Sequence, residues 1–258
     1  MNKYDVVIKS AAKDYFKLPL VVDSIQFLNP QPSKIYILSQ DGYLPKGTDY
    51  ESKLEAVKDS DVTPFIDRNK LTHRPNWNWI NLVSLFQNFT EQDFYFDIQS
   101  DNFFLKPIDL FDEDGKPRVF RSTANHVNVS GWSPYFNFSE RVFDIPKMSN
   151  GFSYIIEFLM YNKNLTKKLI ESYSSFDEMM EVVYSNVNQN SYPADQEIFG
   201  NLLEKHFPTV YSFVNNFPVH FTGTESLDIS LDQIKKYILD VKTQLPNIVS
   251  CSFHSWEK

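Results

Sequence analysis

Apolar residues in this chain fall into short runs separated by polar breaks. Residues 4–8 and 34–38 are nearly continuous apolar stretches rich in β-branched and aromatic side chains, which predicts strands buried on both faces. Between them, residues 18–27 carry apolar side chains at helical spacing, and Asn29-Pro30-Gln31-Pro32 reads as a turn. This strand–helix–strand order predicts a parallel pair joined by a right-handed crossover. Further along, the pattern predicts strands at 62–66, 94–98, 118–121, 210–214 and 219–222, with extended chain at 103–105. It predicts helices at 77–89, 165–173, 176–184, 195–206 and 231–241. Residues 43–61 are polar and weakly patterned. With no internal repeat and no Pro/Gly/Ser-rich linker, the whole span 1–258 reads as a single α/β domain. Its expected sheet is Rossmann-like, mixed but mostly parallel, and flanked by helices.

Composition narrows the classes. Hydrophobic content of 42% against 22% charged describes a chain able to bury a core. A net charge of −8 weighs against general nucleic-acid binding and against docking on an anionic membrane. The one cysteine, Cys251, excludes an internal disulfide and a cysteine zinc cluster. Seven glycines without a Gly-rich phosphate loop count against phosphoryl or nucleotidyl transfer of that type. No segment reaches the roughly 20 apolar residues of a membrane span, and Met1 to Asp5 lack an apolar signal core. The expectation is a cytoplasmic protein without a membrane span.

The segment richest in chemistry is 94–107, where the strand Phe94-Tyr95-Phe96-Asp97-Ile98 runs directly into Gln99-Ser100-Asp101-Asn102 and then Phe103-Phe104-Leu105-Lys106-Pro107. Ligands of open α/β sheets sit at the carboxyl ends of strands. A carboxylate there can hold a hard divalent cation that also binds substrate phosphates.

The run 100–108 resembles the metal-binding signature of glycosyltransferases with the GT-A fold. It is closest in style to a bacterial and phage group with an acidic triplet, an apolar pair and a basic-Pro step. The resemblance implies a GT-A-like domain and a hexosyl- or pentosyltransferase. The donor half would be about 1–122 and the acceptor half about 123–258. It also implies a nucleotide-sugar donor, with UDP the favoured carrier, and Mn2+ or Mg2+ as cofactor. The family triplet is Asp-x-Asp, whereas this chain has Gln99-Ser100-Asp101. Gln99 therefore brings an uncharged amide, and Asp97, on the same strand face, is an alternative contributor.

Other segments are similar to the same family in chain order. Lys9 and Ser10 stand at the nucleotide-facing exit of the first strand. Trp79 and Asn81 lie on the helix before the acidic strand, and Asn150-Gly151 resembles a turn holding the donor sugar or acceptor. Together with Gln99 and Ser100, these form the expected donor-binding set. Pro193-Ala194-Asp195-Gln196-Glu197 resembles an acidic step near the donor sugar, which makes Asp195 or Glu197 the candidate base for an acceptor hydroxyl. His220, followed by Phe221 and later Gly223, resembles a late metal ligand, so Asp101 and His220 form the expected metal pair. His254 is a second histidine candidate. The acceptor implied is a surface glycan or, less directly, a hydroxymethylated base in phage DNA, in a bacterial or phage-infected cell. The competing class is a non-catalytic nucleotide-sugar or glycan-binding module, for which Gln99 in place of an acid is the motivating feature.

Overall fold

The computed structural model describes residues 3–62, 66–122, 133–148, 151–224 and 229–255. β1 (Tyr4–Lys9) leads into α1 (Leu18–Ser24), β2 (Leu28–Asn29) and β3 (Ile35–Ser39). β4 (Leu54–Lys58) runs straight into α2 (Asp59–Val62) and is followed by α3 (Pro75–Phe86), β5 (Phe94–Gln99) and β6 (Asn102–Phe104). Next come β7 (Ile108–Asp109), β8 (Arg118–Phe120), α4 (Ser133–Phe143), β9 (Phe158–Asn162), α5 (Lys163–Thr166), α6 (Phe176–Asn186) and α7 (Asp195–His206). The described chain closes with β10 (Ser212–Val214), β11 (Val219–Thr224), α8 (Leu231–Gln244) and β12 (Ser250–Ser255).

Five strands form the central sheet in the order β4-β3-β1-β5-β9. The first four are parallel and β9 runs antiparallel against β5. The fold is thus mixed α/β with a mostly parallel, Rossmann-like sheet flanked by helices. β1 is buried at all six positions because both sheet faces are covered. One hydrophobic core cluster extends from Tyr4 to Cys251. Its aromatic centre stacks Phe96, Phe104 and Phe158, with ring centroids 5.2–6.0 Å apart. Such tilted and edge contacts add to plain area burial.

Outside the main sheet, β6 is joined antiparallel by β12, and β12 parallel by β11. The register places Ser252 opposite Asn102, and the Ser250 and Ser252 hydroxyls donate to Asn102 Oδ1 at 2.6 and 3.0 Å. Phe253 N donates to Asp101 O at 3.0 Å. The end of the described chain is thereby pinned beside the carboxyl end of β5.

Several elements differ from the expectation. The stretch 43–61 contains β4, an edge strand that keeps Glu55, Ala56 and Lys58 exposed, so it carries little apolar signal. The strand expected at 62–66 falls mostly outside the described residues. Val62 ends α2, and 63–65 lie outside the described residues. Where a helix was expected at 165–173, α5 covers one turn behind its Asn162 N-cap and Lys167–Leu169 continue as a 3-10 segment. The strands β9 and β12 and the helix α4 had no counterpart in the pattern. No helix among the described residues is long and apolar enough to cross a membrane.

α7 packs against the loop before β9 through Gly200, where a Cβ would collide with the Tyr154 ring. Gly200→Ala is therefore expected to destabilise by about 1–3 kcal/mol through overpacking, as measured by urea unfolding. A change in stability below about 0.5 kcal/mol would show that the helix can move away freely.

Candidate functional site

The chain leaves β1 toward β3 on one side, and returns through α3 to β5 on the other. The carboxyl ends of β1 and β5 therefore flank a switch point of the sheet, the place where open α/β folds bind ligands. A cavity of about 180 Å3 opens on the β3 side of that point, at the carboxyl ends of β1 and β3 and under α3, lined by Lys9, Ser10, Ala11, Ala12, Leu38, Gln40, Asp59, Arg68, Asn76, Trp79 and Ile80. The Arg68 guanidinium lies 4.0 Å over the Trp79 ring and is 2.9 Å from Asp59 Oδ2. The indole N–H of Trp79 and the Nε–H of Arg68 are buried without a hydrogen-bond partner. A wider groove of about 630 Å3 lies at the amino end of β5, lined by Asp93, Lys163 and Phe176 among others, and takes in none of the expected site residues.

Behind the cavity the charges are internal. Lys9 is 3% exposed, and its ammonium sits 2.8 Å from Asp97 Oδ1 and 3.8 Å from Asp195 Oδ2, and donates to Ser84 Oγ. Burial pushes the Asp97 carboxyl up to about 6, against the pull of Lys9 and with a further push from Asp195. Asp195 accepts from Tyr161 Oη at 2.8 Å, and its backbone N–H donates to Asn81 Oδ1 at 2.9 Å.

Beyond the end of β5, Asp101, Glu157 and His254 bring ligand atoms within 4.8 Å of one another. His254 Nδ1 is 2.9 Å from Asp101 Oδ2 and Nε2 is 3.7 Å from Glu157 Oε1. The side chains are only 16–18% exposed. Burial pushes the Glu157 carboxyl up to about 7, eased by the charge of His254 and reinforced by Asp101, Asp195 and, in the opposite sense, Lys9. Burial disfavours the charge on His254, but the hydrogen bond and charge of Asp101, with Glu157, outweigh it and raise the imidazole to about 9.

Glu157 itself has φ 74°, a left-handed backbone that costs a long side chain of order 1–3 kcal/mol. Neighbouring groups hold it there. Gln99 N donates to Glu157 O at 3.0 Å. The Gln196 and Glu197 side chains, on the first turn of α7, accept from Ile156 N at 3.0 Å and Tyr154 N at 3.1 Å. The strain is thus compensated around one presented carboxylate.

The expected site residues sort accordingly. Lys9, Ser10 and Trp79 line the cavity, but the Lys9 ammonium is committed to Asp97, so it is not offered to a ligand. Asp97 is interior for the same reason and does not join the acidic cluster. Asn81 is not a donor contact: its amide bridges Trp77 O and Asp195 N, tying α3 to α7. Gln99 and Ser100 stand at the end of β5, half-buried and buried. Gly151 is an exposed left-handed turn with open space around it, and Asn150 lies outside the described residues. Glu197 is 1% exposed and saturated by Ser153, Tyr154 and Asn201, which makes it a support for the Glu157 loop and no base for an acceptor. Asp195 is likewise turned inward, on Tyr161 and Lys9.

Asp101 is in the cluster, but His220 is not. His220 pairs with Cys251 and stacks 6.2 Å from Tyr237 on the α8 side. His254, three positions beyond Cys251, faces the opposite side of the sheet, because side chains alternate along β12. Glu157 had no signal beyond being a lone acid ahead of the apolar run 158–161. Arg68, Asp59 and Gln40 sit in weakly patterned sequence.

The buried ammonium gives a test with a definite sign. Asp97 has a folded value raised above its ordinary 3.8, so the stability linked to its proton is full below that value and is lost as pH rises through about 6. Removing the ammonium raises the carboxyl further. Lys9→Met is expected to cost about 3–5 kcal/mol at pH 8 and to recover part of that at pH 5, measured by denaturant titration at both values. An equal loss at the two pH values would show that the carboxylate does not depend on Lys9. No protein-family model and no curated protein matches this chain.

Proposed function

We propose that the protein is a GT-A-type glycosyltransferase using a nucleotide-sugar donor, with a UDP-sugar as the first candidate and Mn2+ or Mg2+ as the supporting ion. The observation that carries the reading is the grouping of Asp101, Glu157 and His254 just past β5, with a cavity at the carboxyl ends of the neighbouring parallel strands β1 and β3. Two carboxylates and an imidazole form a donor set suited to a divalent ion of this kind. Glu157 supplies the charge that Gln99 lacks, so the missing first acid of the triplet does not leave Asp101 alone. Such an ion would offset the charge developing on a leaving nucleoside diphosphate.

The chain's own groups do the rest. The cavity, at about 180 Å3, is below the roughly 300 Å3 of a pocket for a drug-sized ligand and fits one ring system. It is assigned to the nucleoside. Arg68, held on Trp79 by Asp59, supplies a cation and a flat stack beside it. Lys9 neutralises Asp97 and Asp195 and keeps the floor of the site rigid. The sugar-bearing diphosphate then leads from the cavity toward the acidic cluster.

A glycan hydroxyl is preferred over a DNA base as acceptor. Of the basic residues that could make a DNA groove, Lys9 is buried on Asp97 and Arg121 is paired with Glu204. The rest of the charge balance is negative. The donor is taken to be a cytoplasmic metabolite. A nucleotide-sugar-binding module without turnover is the second reading, and Gln99 in place of an acid is what favours it.

Thermal shift with Mn2+ and UDP is expected to raise the melting temperature of the wild type, since a ligand binding only the folded state stabilises it. Asp101→Ala and His254→Ala should remove most of that shift while His220→Ala leaves it intact. Slow release of UDP from a UDP-sugar, stimulated by Mn2+, indicates the enzyme; a shift with no release indicates the module. A full shift in folded Asp101→Ala would dismiss the acidic cluster as the ion site.

A further inference from the structure

A second group of side chains occupies the rim where α3 and α7 begin together. Arg74 precedes α3, is exposed, and has φ 42°, again left-handed. Its guanidinium lies 4.7 Å from the Trp77 ring and 5.7 Å from the Tyr192 ring. Tyr192 is held in turn by Tyr135, edge-on at 5.1 Å, and by His73 at 5.0 Å. Trp77 is 38% exposed, which is high for the largest side chain on a helix whose other indole, Trp79, is buried. Arg68 meets Asp59 and Arg121 meets Glu204, whereas Arg74 shows no carboxylate partner among the described residues and has the Tyr135 hydroxyl as a hydrogen-bond partner beside the aromatic rings around it. A flat cation is thus fixed over aromatic rings at an open edge, its charge left unneutralised, in a protein of net charge −8.

The rim adjoins the site on both sides. Asn76, next to Trp77, lines the cavity. Tyr192 lies three residues before Asp195, whose backbone is bound by Asn81 of α3.

We propose that Arg74, Trp77 and Tyr192 form an acceptor subsite for an anionic sugar. The apolar face of the sugar ring packs on the exposed part of Trp77, and its carboxylate or phosphate pairs with Arg74. This inference rests on the glycosyltransferase reading, because it fills the acceptor side of that site. The physical basis is complementarity: planar guanidinium binds carboxylate and phosphate through two parallel hydrogen bonds, and the aromatic stack fixes it before the ligand arrives. In a molecule that is otherwise negative, an acidic acceptor needs such a local cation to approach. A neutral acceptor would leave the guanidinium without a role.

The test compares methyl glucuronide, glucose 6-phosphate and methyl glucoside as probes of the full chain, by calorimetry or ligand-observed NMR, with acetate and inorganic phosphate as sugar-free controls. The wild type is expected to bind at least one acidic sugar about tenfold more tightly than the neutral one, the span of a charge-assisted contact. Preference for the glucuronide or for the phosphate names the source of the charge, and either supports the subsite. Arg74→Asn should erase that margin, and asparagine tolerates the left-handed backbone, so the fold is preserved. Trp77→Ala should weaken all three sugars. Equal binding of acidic and neutral sugars, a margin that survives in folded Arg74→Asn, or sugar-free anions binding as well as the acidic sugars would each overturn the proposal. Binding of UDP with Mn2+ to the wild type, measured alongside, tests the donor reading separately. Its failure beside an intact acid margin removes the glycosyltransferase and spares the subsite, and the reverse result removes only the subsite.

Discussion

The arrangement at the sheet edge depends on one ammonium sealed from water. Lys9 ends β1 with its charge between Asp97 on β5 and Asp195 on α7, and its hydrogen goes to Ser84 on α3. Four elements therefore meet at a single cation. Charges buried this deeply are tolerated only when paired, and each additional hydrogen bond lowers the cost of keeping them dry. Tyr161 and Asn81 complete the set by binding the Asp195 side chain and backbone. The same contacts fix the entry of α7, whose next two residues, Gln196 and Glu197, hold the loop that presents Glu157.

From that floor the candidate site is assembled by elements far apart in sequence. Asp101 comes from the exit of β5, Glu157 from a strained turn before β9, and His254 from β12. Only the antiparallel register of β12 on β6, anchored by Asn102 accepting from two serine hydroxyls, sets the histidine beside the aspartate. The cost of the φ 74° turn at Glu157 makes sense in these terms, since strain persists where neighbouring bonds over-determine it. Glu197, expected to act on substrate, instead spends its carboxylate on backbone and serine donors of this loop. The carboxylates at the edge are thus divided between those that build the floor and those that face outward.

The rim differs in character from the floor. Lys9 is neutralised, Arg68 is neutralised by Asp59, and Arg74 is neutralised by nothing among the described residues. A guanidinium without a carboxylate partner keeps its charge, and those of its N–H groups not used on the Tyr135 hydroxyl, for a ligand.

Much of the central architecture could be read along the chain. The apolar runs of β1, β3 and β5 are buried on both faces, so near-continuous hydrophobicity marked them, and the parallel order followed from the helix between β1 and β3. Asp101 stood out because it follows the apolar run that opens β5. Edge strand β4 escaped because its exposed residues break the pattern, and β12 because Ser250 and Ser252 bond Asn102 instead of packing on apolar neighbours. The choice between His220 and His254 could not be made from spacing. The two lie on adjacent strands of one small sheet, and alternation sends them to opposite faces, a distinction that exists only once register is set. Local sequence determined which segments would be strands and where the first acid would stand. The tertiary structure decided that Lys9 would be neutralised inside by Asp97 and that Asp101, Glu157 and His254 would share a site, because each of these groupings joins residues that the chain keeps more than fifty positions apart.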